Sequence, residues 1–244
     1  MSMPEKKDGG AGFEQTRVEL LAQWYFKEQL DFDRRVIRFR YQTIRTHFVG
    51  PEGLELGPAD GEMTPLLLPH FSRLTIVDGA EELISSIPER PNLVKVHALF
   101  EEFEPGWLFN TIIIEHVLEH VENPVALLER VRRWLAPQGV MIVGVPNGHS
   151  IHRLAAVKMG LLEEPCQLNQ RDYQLGHRRV YTPHTLRKDI ETAGLRTIAT
   201  GGVFFKPVSN QQIQDYWTEE MIQGFYELGK EFPEHSAELY AVCQ

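Results

Sequence analysis

A chain of 244 residues with 42% apolar residues has the size and composition of one α/β unit with a sizeable core and extensions. The net charge of −9 argues against a broad nucleic-acid footprint, and two cysteines far apart in sequence, Cys166 and Cys243, build neither a disulfide framework nor a cysteine zinc site. No stretch approaches the roughly 20 apolar residues of a membrane span, and the polar start, Met1 to Gly12, has no apolar signal region, so the expected setting is soluble, reducing and cytoplasmic.

Residues 1–12 read as a disordered tail. From Phe13 to Phe48 the pattern is helical, with a break expected near Leu30-Asp31-Phe32-Asp33 and Asp33 as a candidate cap for the second helix. Ile37, Tyr41, Ile44 and Phe48 recur there at helix spacing and predict one inward stripe. Arg34, Arg35, Arg38, Arg40 and Arg45 surround it, either as a solvated basic face or with one or two of them clamping a carboxylate or phosphate.

An alternation of strands and helices follows. Strands are expected at Leu54–Leu56, Arg73–Asp78, Asn92–Ala98, Thr111–Ile114 and Val140–Val145, and helices at Glu62–Phe71, Ala80–Ile87 and Asn123–Leu135. Thr111–Ile114 is wholly apolar, as in a strand buried on both faces. Further on, Ser150–Leu162 reads as a helix placed to roof a pocket, and Pro183–Ala193 as a helix capped by Thr182 and stopped by Gly194. Leu195–Gly201 and Glu238–Val242 read as the last strands, the final one pairing antiparallel at the edge. In Ser209–Phe232 the stripe Trp217, Met221, Phe225 and Leu228 reads as a packing face. The expected fold is α/β, a doubly wound, mainly parallel sheet covered on both faces, with ligands bound outside the carboxyl ends of the strands. Gly57, Asp78, Ala98, Glu115 and Asn147 all fall on that edge.

The stretch Leu54-Glu55-Leu56-Gly57-Pro58-Ala59-Asp60-Gly61 places a glycine-rich turn between a strand and a helix. Such a turn either serves structure alone or presents backbone N–H groups to a polar ligand. Asp78 closes the next strand about 20 residues on, where nucleotide folds place an acid on ribose hydroxyls.

These pieces, together with Phe109–Val121, the turn Leu135-Ala136-Pro137-Gln138-Gly139 and Val145-Pro146-Asn147, occur in the order found in class I S-adenosylmethionine-dependent methyltransferases, and the chain resembles that family over about residues 50–150. The flavour is similar to the small-molecule branch that includes ubiquinone-pathway O-methyltransferases. The resemblance implies a Rossmann-like, seven-stranded sheet with an antiparallel last strand, N-terminal helices and helical inserts. It divides residues 13–244, one methyltransferase domain, into an N-terminal helical lid (13–48), a cofactor-binding core (50–147), and substrate-side inserts with the last strands (148–244).

For S-adenosyl-L-methionine the resemblance implies a site of Glu55, Gly57, Pro58, Ala59, Gly61, Asp78, Gly79, Ala98, Leu99, Phe100 and Glu115. The glycine loop would pass under the methionine part and Glu55 would order it. Asp78 would accept both ribose hydroxyls, and Ala98-Leu99-Phe100 would flank the adenine. Leu99 departs from relatives that carry an acid there, which leaves the adenine amino group to a backbone carbonyl, to Glu101 or to water. Ala59 and Gln138 replace glycines of the pattern without removing a reactive group.

The sulfonium is already an activated donor, so the protein has to align the nucleophile, dry the site and remove a proton. Candidate bases on the correct edge are His116, His149, His152 and His177, with His116 and His177 foremost. His116, Glu119 and His120 share one face if helical and, with His177, resemble a divalent-ion set of some relatives. Hydrogen bonding without a metal is the plainer reading. The expected activity is methyl transfer to oxygen or nitrogen of a small polar acceptor, neutral or anionic, with no membrane partner and nucleic acid disfavoured. The alternatives are an RNA 2′-O-methyltransferase with a metal site and a non-catalytic cofactor-binding regulator; a nicotinamide oxidoreductase fits Glu55 and the Leu135–Gly139 turn poorly.

Overall fold

The structure is a computed structural model that describes residues 11–25 and 31–244. The expected tail over residues 1–10, and Leu30 of the expected helix break, lie outside the described residues. Ala11 and Gly12 already belong to the first helix, α1 (Ala11–Tyr25).

Seven strands form one sheet: β1 (Glu52–Leu56), β2 (Arg73–Asp78), β3 (Leu93–His97), β4 (Phe109–Glu115), β5 (Leu135–Pro146), β6 (Thr197–Val203) and β7 (Glu238–Cys243), in the order β3-β2-β1-β4-β5-β7-β6. The first five are parallel, and β7 runs antiparallel to both β5 and β6. The last strand is therefore not at the edge, as its sequence position suggested. It inserts between β5 and β6, because Leu239, Ala241, Val242 and Cys243 are apolar enough to be buried, whereas β6 alternates half-buried and exposed residues and tolerates the edge.

Helices cover both faces. On β4, Ile112 and Ile114 join one core with Leu127, Leu128 and Val131 of α5 (Pro124–Arg132) and Leu186 and Ile190 of α8 (Pro183–Thr192). Ile113 joins the other with Ile44 of α2 (Asp31–Ile44), Leu67 of α3 (Thr64–Leu67) and Ile84 of α4 (Glu81–Ser86). This alternation on a strand buried on both sides is what its apolar run predicted. Asn123 and Thr182 cap α5 and α8, and Gly194 adopts a left-handed conformation after α8.

Several boundaries move for local reasons. The expected helix Glu62–Phe71 shrinks to α3 and a 3₁₀ turn, Leu68–His70, because Pro65 opens the first and Pro69 supplies no N–H to continue it. The predicted roof helix is α6 (Ile151–Lys158), and α7 (Gln170–Leu175), which the sequence pattern did not predict, follows, capped by Asn169 and ended by left-handed Gly176. Ser209–Phe232 divides into α9 (Asn210–Tyr216) and α10 (Glu219–Glu231), with Thr218 capping the second. The buried face of α10 is Ile222, Tyr226 and Gly229, one residue off the expected stripe, and Met221 is exposed.

Asp33 lies inside the first turn of α2 rather than at its cap. Its helix has two buried sides. Ile37, Tyr41 and Ile44 face the sheet, while Phe32, Val36 and Phe39 pack with Phe204 and Tyr226 in a third cluster, Phe39 stacking on Tyr226 at 4.3 Å. Among its arginines, Arg34 and Arg35 form ion pairs with Glu62 and Glu219, and Arg45 lies 5.9 Å from the Tyr41 ring centre. Arg40 turns inward and clamps a carboxylate of the chain itself: Nε donates to Glu238 Oε2 at 2.9 Å and a terminal nitrogen donates to Oε1 at 2.7 Å. Its Nε also lies 3.3 Å from Glu115 Oε2.

Burial disfavours the Glu238 anion, but Arg40 and His116 outweigh it and hold its pKa well below the usual carboxylate range. The stability this contributes is present above the ordinary carboxylate pKa and is lost as pH falls through the depressed one. Glu238→Gln is expected to cost about 3–5 kcal/mol by stranding a buried guanidinium. The double change Arg40→Met/Glu238→Met is expected to recover most of that loss. Urea unfolding of the single and double variants checks both.

Candidate active site

Strand order reverses between β1 and β4, so the loops after their carboxyl ends diverge and leave a crevice. The turn after β1 begins with Gly57, whose N–H donates to Val77 O at 2.9 Å. Gly57 has φ of +70°, and a Cβ there would sit 2.8 Å from Val117 Cγ2, so glycine is required on both counts. Ala59 is also left-handed, at φ of +50°, a conformation that strains an alanine. Gly61 packs on Ile87 and does not line the crevice.

Two clefts open here. The first lies between the β1 and β2 turns, residues 99–101, the 116–121 turn and α1. Asp78, Gly79, Leu99, Phe100 and Glu101 line it, whereas Ala98 lies beneath, packing on the core and donating its N–H to Asp78 O. Asp78 accepts the Ala80 N–H at 2.8 Å. Burial raises its pKa to about 6 although the N–H groups of Ala80, Ala59 and Gly79 oppose the rise. From α1, Arg17, Val18 and Leu21 close the cleft, and Gln15 donates to Gly79 O at 2.7 Å. Nothing in the periodicity of residues 13–25 singled these side chains out.

The second cleft is lined by α2, the β4 and β5 ends, α6, α7 and the segment after β6. Glu55, Pro58, Glu115 and Asn147 line it, with His152 and His177. Glu55 is buried, accepts the Thr64 hydroxyl at 2.7 Å and is raised to about 7 by desolvation. Glu115 folds over Gly144, where a Cβ would collide with its carboxylate; that requirement for glycine was not apparent in the sequence. Burial raises Glu115 to about 7 against the pull of Arg40 and His116, and its Oε1 is buried without a hydrogen-bond partner. His149 is exposed and lines neither cleft, because Asn147 Oδ1 takes its N–H and turns it outward at the start of the next loop.

Gly57, Ala59, His116, His120 and Leu175 line both clefts and form their common wall. Residues 116–122 form a turn rather than the helix that the i, i+3, i+4 spacing assumed. Three arginines take its free carbonyls: Arg17 and Arg178 donate to His120 O, and Arg179 donates to Leu118 O, Val121 O and Glu122 O. His116, left-handed at φ of +56°, places Nδ1 3.2 Å from Glu119 Oε1 and Nε2 3.2 Å from Glu238 Oε1. Burial and Arg40 lower its pKa and the Glu238 and Glu119 carboxylates raise it, with a net push up to about 9, while a terminal nitrogen of Arg40 stands 2.8 Å from Nε2. His120, also buried, is held down to about 4 by desolvation and stays neutral.

His177 Nδ1 lies 3.0 Å from Asp172 Oδ1, and its ring meets His120 edge-on at 4.7 Å. One ligand atom each from Glu119, His120 and His177 lie within 4.8 Å of one another, whereas His116 is drawn away by Glu238 and Arg40. Glu119 is fully buried, and neither oxygen has an aligned hydrogen-bond donor. The three remaining donors thus fit a divalent ion in chemistry and spacing, with Asp172 behind His177 as the orienting carboxylate. Asp172, which no motif singles out, also accepts the Asn169 N–H and meets Arg153 at 3.3 Å.

No helix among the described residues is long and apolar enough to cross a membrane. In sequence the chain is 29% identical over 107 residues to a ubiquinone biosynthesis O-methyltransferase of Dinoroseobacter shibae (43% of this chain, 42% of that protein). It is 31% identical over 98 residues to nodulation protein S of Sinorhizobium fredii (37% and 45%). It thus spans less than half the length of these curated relatives. In structure it is similar to a DhpI-SAM-HEP complex, with TM-score 0.64, 16% identity and coverage of 98% and 100%. It is also similar to the N-methyltransferase NodS of Bradyrhizobium japonicum in complex with S-adenosyl-L-homocysteine, with TM-score 0.58, 17% identity and coverage of 93% and 96%. These likenesses show the Rossmann-like methyltransferase fold. The methyltransferase-domain family matches residues 26–200, well over half of the chain, and to that family of methyl-transferring enzymes the chain belongs.

Proposed function

We propose that the first cleft holds S-adenosyl-L-methionine and that the second holds a small polar acceptor whose oxygen or nitrogen takes the methyl group. The observation that carries this reading is the wall common to both clefts, Gly57, Ala59, His116, His120 and Leu175, where donor and acceptor would meet in line. Asp78 takes the ribose hydroxyls, since a carboxylate offers acceptors only. Leu99 and Phe100 flank the adenine with Glu101 at its rim, and the Gly57–Ala59 turn runs under the methionine part. Residues of α1 act as a lid, as their contacts with Gly79 O and His120 O support. The charge of −9 disfavours RNA as the acceptor.

Proton removal is assigned to His177. Asp172 fixes its Nδ1–H and leaves Nε2 with a free lone pair, the arrangement a general base needs. His116, tied to Glu119, Glu238 and Arg40, braces the common wall instead. A second reading, favoured by the buried Glu119 carboxylate, neither of whose oxygens has an aligned hydrogen-bond donor, has Glu119, His120 and His177 hold a divalent ion that orients the acceptor oxygen.

Two outcomes are expected. Ribose donors favour the Asp78 carboxylate, so its pKa falls on binding from about 6. Affinity for S-adenosylhomocysteine is then full above that pH and drops toward about tenfold per unit below it. Asp78→Asn removes this step and weakens binding by about 1–3 kcal/mol, and calorimetry between pH 5 and 8 checks both. His177→Ala lowers kcat by about 10²–10⁴ with cofactor affinity unchanged, and the parent enzyme keeps its activity after exhaustive chelation. Loss on chelation with recovery on adding a divalent ion selects the second reading.

A further inference from the structure

The acceptor cleft holds four cationic side chains that its lining brings together: Arg40, Arg153, Arg171 and Lys206. Three are neutralised within the chain. Arg40 is clamped by Glu238. Arg153 is held by Asp172 and by the carbonyls of Pro165 and Gln167. Arg171 lies 3.5 Å from Asp33.

Lys206, in the segment between β6 and α9, differs. Its Nζ donates at 2.9 Å to the neutral Asn210 Oδ1, and among the described residues it has no carboxylate at ion-pair distance. The nearest acids are engaged elsewhere: the Asn210 amide nitrogen stands between it and Asp33, and both Glu238 oxygens face Arg40 and His116. On the neighbouring helix, His152 is kept neutral by burial and by Lys206 and Arg153, and its Nδ1 is buried without a partner. Burial holds the Lys206 ammonium down to about 8, with Glu238 and Asp33 opposing and Arg171 and Arg153 assisting, as for a desolvated cation that lacks a counter-ion.

We infer that the acceptor carries an anionic oxygen group, a carboxylate or a phosphoryl oxyanion, that docks on Lys206. This rests on the assignment of the second cleft to the acceptor. Lys206, Arg153, Asn210 and His152 line that cleft only, away from the common wall, so the anion would sit at one end of the acceptor while its nucleophile faces His116 and His120. A compact ammonium on a flexible stem suits such an end-on contact.

The test is calorimetry on the full chain saturated with S-adenosylhomocysteine at low ionic strength. Sodium phosphate, sodium acetate and neutral acetamide are titrated into the parent protein, Lys206→Met and Lys206→Arg. At least one anion is expected to bind the parent, at least tenfold more weakly to Lys206→Met, with recovery in Lys206→Arg and no binding of acetamide. Phosphate alone marks a phosphoryl-bearing acceptor; acetate alone marks a carboxylate. Binding of neither anion, or equal binding to Lys206→Met, overturns the inference while leaving the donor cleft intact. Failure of S-adenosylhomocysteine to bind overturns the functional reading beneath it as well.

Discussion

A guanidinium buried as deeply as Arg40 has to be neutralised in place, and the carboxylate that does so stands 198 residues away. Glu238 reaches it because β7 runs back between β5 and β6 and begins at the edge where β4 and β5 end. The pair therefore couples two events that sequence separates widely, the docking of α2 and the insertion of the last strand. It also lines the second cleft, where Glu115 at the end of β4 and His116 beyond it lie within reach of the same two charges.

Around that pair, burial and charge pull identical groups apart. Glu238 and Glu119 each face imidazole nitrogens, and Glu238 faces Arg40 as well; both stay ionised. Glu115 has only the weaker contact with Arg40 and stays near neutrality, raised to about 7. The histidines divide in the same way. His116, between two carboxylates, is pushed up, while His120, desolvated beside two other rings, is held down. Groups of one type with separated pKa values in one crevice take different roles, and the roles follow from which carboxylate each ring meets rather than from ring identity.

Much of this was legible in local sequence, because its causes are local. The turn Leu54–Gly61, the acid at Asp78, the apolar run of β4 and the caps Asn123 and Thr182 all depend on neighbours within a few residues. The end of α8 was legible from Gly194, whereas the break after β1 was missed because proline was not weighed: Pro65 and Pro69 stand in plain view inside the stretch that periodicity called helical. What escaped depends on strand order. The interior place of β7, the partner of Arg40, the fold of Glu115 over Gly144 and the Asp172–His177 contact arise when segments far apart in sequence meet. The spacing of His116, Glu119 and His120 brought two of the three close to His177, yet for a reason other than the assumed helix: a turn whose carbonyls are held by Arg17, Arg178 and Arg179.

Those arginines show how this chain uses its cations. A planar fork with five donors saturates itself on carbonyls and carboxylates, and around the crevice Arg17, Arg40, Arg153, Arg178 and Arg179 do so, bracing the turn, α2, the 165–167 segment and the loop before α8. Arginines of α2, the most basic stretch in the sequence, are thus poor readers of an acceptor, because those that face inward are already satisfied. Lysine cannot saturate itself in this way: it has a short cone of donors, and here it found one amide oxygen. On the proposed assignment of the second cleft to the acceptor, Lys206 discriminates, since a neutral acceptor leaves its ammonium without a counter-ion whereas an anionic one supplies it. On the proposed reading, selectivity would reside in the segment after β6, which carries Lys206 outside the sheet.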